Sequence, residues 1–107
     1  MAEIDKLFDL MVAQKASDLH LSAGAPPYLR VHGEMVPLQH PPLENESVQA
    51  LVFEIMTDRQ KRQFVENLEL DWSYQIKNLA RFRANVYMQQ RGLAAVFSVV
   101  PQKMMTP

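Results

Sequence analysis

Cysteine is absent from this chain. That removes disulfides, thiol nucleophiles and Cys-ligated zinc in one step, and it fits a reducing compartment without being diagnostic of one. Glycine is scarce: Gly24, Gly33 and Gly92 stand far apart. No GxxxxGK[ST] or GxGxxG motif can be found, so these 107 residues hold no phosphate-cradling loop for P-loop hydrolysis. No apolar run approaches the roughly 20 residues of a membrane span. The start, MAEIDKLFDL, carries acids early and lacks a basic segment followed by an apolar one, so it does not read as a secretory signal. Acidic residues are missing from one whole region: residues 72–107 contain no Asp or Glu.

What is present describes one globular domain. At 107 residues, 48% hydrophobic and 21% charged, the chain is long enough to bury roughly two-thirds of its unfolded surface. The net charge of −1 conceals a division. Residues 1–71 hold all 12 acids and six of the 11 basic residues, whereas residues 72–107 hold Lys77, Arg81, Arg83, Arg91 and Lys103. Such asymmetry serves a basic surface facing an anionic partner, or basic strands pairing with acidic helices inside the fold. A pI near 6.3 with an acidic first two-thirds argues against nucleic acid, whose binder must neutralise many phosphates.

The periodicity predicts a helix over 4–16, with Ile4, Leu7, Phe8, Leu10 and Met11 inward and Asp5 among the outward polar residues. Leu19-His20-Leu21 reads as a short strand. Tyr28 to His32 and Met35 to Leu38 read as a hairpin around Gly33. A second helix carries Val48, Leu51, Val52, Ile55 and Met56 on one side, capped by Asn45 or Ser47. Thr57-Asp58 offers the cap of a third helix with Phe64, Val65 and Leu68 inward.

Three strands follow. Leu70, Trp72, Tyr74 and Ile76 alternate with polar residues, as do Phe82, Ala84, Val86 and Met88. Matching the apolar faces sets Ile76 opposite Ala80, Tyr74 by Phe82 and Trp72 by Ala84. On the other face Gln75 then meets Arg81, Ser73 meets Arg83, and Asp71 lies diagonal to Arg83. Leu93 to Val100 is apolar on both faces and belongs near the middle of the sheet. The order α-βββ-αα-βββ predicts an α+β, PAS-like domain: an antiparallel sheet of about six strands with helices packed on one side, over residues 1–101. Residues 102–107 read as the start of a linker.

Candidate chemistry concentrates on one strand. Arg81 and Arg83 stand on the same strand face about 7 Å apart, a spacing suited to two oxygens of a polyphosphate, which guanidinium groups bind in bidentate fashion. Arg91, in the loop after that strand, extends the expected patch, and Asn85 and Tyr87 continue it with neutral groups. The internal alternative is that Arg83 simply pairs with Asp71. Asp18 and His20 share a strand face but lack a third ligand or partner, so a structural hydrogen bond accounts for them better than a metal or catalytic site. Trp72 and Tyr74 read as core residues. No metal site is expected.

Taken together, Ala16-Ser17-Asp18-Leu19-His20-Leu21-Ser22-Ala23-Gly24, Pro26-Pro27 and Leu29-Arg30-Val31-His32-Gly33 resemble the start of PilT-type pilus retraction ATPases of the secretion ATPase superfamily. Leu70-Asp71-Trp72-Ser73-Tyr74, Ala80-Arg81-Phe82-Arg83-Ala84-Asn85, Gln90-Arg91-Gly92 and Ala95-Val96-Phe97 continue the resemblance in order over nearly the whole chain. It implies a non-catalytic N-terminal domain of a hexameric, cytoplasmic, bacterial motor for twitching motility. That motor sits at the inner membrane through a pilus platform protein, and the linker leads to a RecA-like motor domain absent from these residues. ATP and Mg are implied for the full-length parent and no cofactor for the isolated domain. In such motors the N-terminal domain closes over the nucleotide of the motor domain, and by the resemblance Arg81, Arg83 and Arg91 fall on the segment reaching the phosphates. Ser98 departs from the pattern, since the family usually carries arginine after Val-Phe. A stand-alone PAS-like sensor of small molecules and a protein-docking adaptor are the competing expectations.

Overall fold

The computed structural model describes residues 3–76 and 79–100. Lys77, Lys103 and the expected linker at 102–107 lie outside the described residues. The elements run α1 (Asp5–Ala13), β1 (Asp18–Ser22), β2 (Tyr28–Val31), β3 (Glu34–Pro37), α2 (Asn45–Phe53), α3 (Asp58–Asn67), β4 (Glu69–Ile76), β5 (Ala80–Gln89) and β6 (Gly92–Val100). This is the expected α-βββ-αα-βββ order.

The six strands form one antiparallel sheet in the order β3-β2-β1-β6-β5-β4. Two three-stranded halves, one from each end of the chain, meet where β1 pairs with β6. The β4–β5 register is the one that matching apolar faces demands, with Tyr74 opposite Phe82, Trp72 opposite Ala84 and Ser73 opposite Arg83. The β2–β3 turn places His32 at φ 51° and Gly33 at φ 82°. Two successive left-handed residues make the type I′ geometry that matches strand twist.

All three helices contribute to the core on one face of the sheet. Phe8 of α1 stacks on Phe82 with ring centroids 4.4 Å apart and meets Phe97 edge-on at 5.1 Å. Phe8, Phe82 and Phe97 are fully buried, with Met11, Leu19, Leu21, Val48, Val52 and Val86 around them. Each such side chain contributes about 1.5–3 kcal/mol by leaving water. Trp72 and Tyr74 join this core, as expected.

Four local expectations are corrected. Helix α1 ends at Ala13, because Lys15 turns left-handed (φ 57°) and the Ala16 amide closes back on the Met11 carbonyl at 2.9 Å. Asp5, expected outward, is buried, because its carboxylate accepts a hydrogen bond from the Tyr74 hydroxyl at 3.0 Å. Asn45 does not cap α2: its Oδ1 accepts from the Leu93 amide at 2.8 Å, and Glu44 holds the cap position without a side-chain bond. Of the α3 residues expected inward only Phe64 is buried, while Val65 and Leu68 are exposed. Phe64 meets Phe53 edge-on, and only that edge of the short helix reaches the core. Thr57 does cap α3, its hydroxyl accepting from the Gln60 amide while Gln60 Oε1 accepts from the Thr57 amide.

Candidate functional site

The face of the sheet opposite the helices carries the polar partners of every alternating strand. Read across the register, one row runs Ser73, Arg83, Ser98, Asp18, Arg30 and Met35 from β4 to β3. The next row toward the β5–β6 turn runs Asp71, Asn85, Val96, His20 and Tyr28. On the other side Gln75, Arg81 and Val100 form a shorter row. Strand alternation therefore brings Arg81 and Arg83 onto one open face, where with Asp71, Trp72, Ser73 and Val100 they line a shallow cavity of about 340 Å³.

The two ends of the long row differ in how tightly their charges are held. At the β1 end, Asp18 Oδ1 accepts from Ser98 Oγ at 2.6 Å, and Oδ2 accepts from Ser17 Oγ at 3.0 Å. Arg30 Nε faces the same Oδ2 at 3.4 Å, while Arg30 Nη1 donates to the Gly33 carbonyl at 3.2 Å. Both oxygens of Asp18 are thus committed, and Arg30 is braced against the β2–β3 turn. At the β5 end, Arg83 Nη2 lies 3.6 Å from Asp71 Oδ2, with side-chain exposures of 73% and 53%. A pair that long and that wet contributes little and is easily exchanged. Arg81 faces neutral Gln75 across the strands.

His20 shares the open face with Asp18, as its spacing required. Burial lowers its pKa below the ordinary 6.5, with Asp18 pulling it up and Arg30 pushing it down. Its Nε2 is buried without a hydrogen-bond partner among the described residues. Those residues also include no cluster of three His, Asp or Glu side chains placed to hold a metal ion.

Arg91 is not brought together with the other two arginines. It stands in the turn between β5 and β6, eight residues beyond Arg83, roughly 26 Å along an extended strand. There it lies beside Gly24 and lines a separate cavity with Pro42, Glu44, Asn45 and Glu46. Asn85 and Tyr87 do continue the open face of β5. What sequence reasoning missed is the join at β1–β6. It sets Ser98, where the resemblance expects arginine, between Arg83 and the carboxylate of Asp18, 80 residues away in the chain.

Comparison with known proteins bears on the fold and on the region matched. No protein-family model matches the chain. It is 46% identical over 104 residues to the type IV pilus retraction ATPase PilT of Pseudomonas aeruginosa, covering 97% of this chain and 30% of that protein. It is 35% identical over 88 residues to the type IV pilus ATPase PilU of the same organism, covering 82% of this chain and 23% of that one. Among solved structures, the pilus retraction motor PilT with bound ADP superposes with a TM-score of 0.85 at 32% identity, over 96% of this chain and 30% of that one. The chain therefore spans about a third or less of the length of the relatives it matches.

Proposed function

The chain is a PilT-type N-terminal domain, and from that premise we propose that it is the non-catalytic domain of a hexameric pilus retraction ATPase. In this reading it packs on RecA-like motor domains and lends Arg81 and Arg83 to the phosphates of bound ATP. The observation that supports it is the placement of both guanidinium groups on the open face of β5, beside a shallow cavity and outside any buried ion pair. Two arginines rooted about 7 Å apart along one strand face can reach two oxygens of a polyphosphate and would neutralise charge that builds on the transferring phosphoryl group. In this reading the chemistry at the phosphate, including the Mg²⁺ that accompanies ATP, belongs to the motor domain. Arg91 lies too far along the hairpin to share one phosphate chain with Arg83, so the reading rests on Arg81 and Arg83. The domain would work in the bacterial cytoplasm at the pilus machine, changing its angle to the motor domain with nucleotide state. No helix among the described residues is long and apolar enough to cross a membrane.

The test is Arg83→Ala in the full-length protein. ATP turnover falls by about 10²-fold while the hexamer persists in size-exclusion chromatography. Turnover at the wild-type rate would remove the arginine from the mechanism.

A further inference from the structure

Resting on that reading of Arg83, we propose that Asp71 is a positioning residue that holds Arg83 at rest and competes with phosphate for it. Nucleotide must then displace a carboxylate to engage the arginine.

Two acids are near enough to the long row to compete for Arg83, and the structure separates their roles. Asp18 lies in the same row, beyond Ser98, but its oxygens are taken by Ser98, Ser17 and Arg30. Asp71 sits opposite Asn85 on β4, hence diagonal to Arg83, and turns Oδ2 toward Nη2 at 3.6 Å. That separation exceeds the 2.7–3.2 Å of a hydrogen bond, so the carboxylate orients the guanidinium by charge rather than by a directed bond. Both groups are more than half exposed, so water competes for each and the pair is loose. A phosphate group offers more negative charge and two oxygens matched to the guanidinium fork, and it outcompetes such a partner.

Arg81 is arranged differently. No acidic side chain among the described residues lies within ion-pair distance of it, and its cross-strand neighbour is the neutral Gln75. The two arginines of one strand face thus divide the work: Arg81 is available on first approach, and Arg83 is released only when phosphate replaces Asp71. A buried or bidentate pair would not release Arg83, and without any pair the long side chain would sample many rotamers. The loose pair lies between those limits.

The experiment measures ATP kinetics of the full-length protein with Asp71→Asn, Arg83→Ala and both. Removing the competing charge while keeping the shape lowers KM for ATP by about two- to fivefold, with kcat changed by less than about twofold. In the Arg83→Ala background, Asp71→Asn leaves KM unmoved, because its effect passes through Arg83. An unchanged or raised KM in the single variant overturns the proposal. So does a drop in KM that persists without Arg83, which would make Asp71 only a general source of negative potential. Wild-type turnover in Arg83→Ala would instead overturn the phosphate role of Arg83 itself, so the two failures are told apart.

Discussion

Phe82 and Arg83 are neighbours in one strand and stand on opposite faces of one sheet. Phe82 is fully buried and stacked on Phe8, while the side chain of Arg83 is 73% exposed and held only by a long pair to Asp71. The same contrast repeats along β1, where Leu19 and Leu21 enter the core while Asp18 and His20 face the other way. A small domain thus carries two instructions in one set of strands. The period-2 alternation sends one set of residues to build the fold and leaves the other free for charge chemistry. Removing a residue from one set has consequences that removal from the other does not.

Substitutions on the helix-covered face have the largest expected effects. Phe8→Ala removes a ring that touches Phe82, Phe97 and Tyr74 and destabilises the domain by about 3–5 kcal/mol in urea unfolding. A cost under about 1 kcal/mol would mean the core is less closely packed than these contacts require. Asn45→Ala comes next. It leaves the Leu93 amide without its acceptor, and the expected loss is about 1–3 kcal/mol by the same assay. A neutral outcome would show that α2 and β6 are joined by apolar contact alone.

A smaller effect concerns a polar bond on the covered face. Burial, then the hydrogen bond and charge of Asp5, push the Tyr74 pKa from 10.0 up to about 12. The folded state therefore favours the neutral phenol. The stabilisation is fully present below pH 10 and is lost as pH rises from 10 through about 12. In Tyr74→Phe that share of the alkaline loss disappears, which unfolding curves collected across this window measure. If wild type and variant decline in parallel, the hydroxyl of Tyr74 is not held by Asp5.

Much of the fold was legible in the sequence because strand alternation is a local signal. The β4–β5 register follows from aligning Trp72, Tyr74 and Ile76 with Ala84, Phe82 and Ala80, and the structure pairs them so. The same register placed Arg81 and Arg83 on one face. Long-range pairing was not legible: nothing near Asp18 announces that Ser98 will donate to it across β1 and β6. Asp5 was misread because helical periodicity assigns a short acid to the solvent side and cannot see a tyrosine hydroxyl waiting on β4. Asn45 carried a capping signal, and tertiary structure used its side chain for the Leu93 amide instead. Val65 and Leu68 followed an apolar spacing that a ten-residue helix, touching the core mainly through Phe64, had no surface to bury. Arg91 was expected to extend the patch from the loop after β5, yet the ten-residue strand carries it to the turn end of the hairpin.

The division between the faces is tested most directly by urea unfolding of the domain with Arg83→Ala beside Phe82→Ala. On that division, Arg83→Ala stays within about 0.5 kcal/mol of the parent sequence, while Phe82→Ala loses about 3–5 kcal/mol. A loss of more than about 2 kcal/mol for Arg83→Ala would contradict it, because the open face would then be part of what holds the fold together.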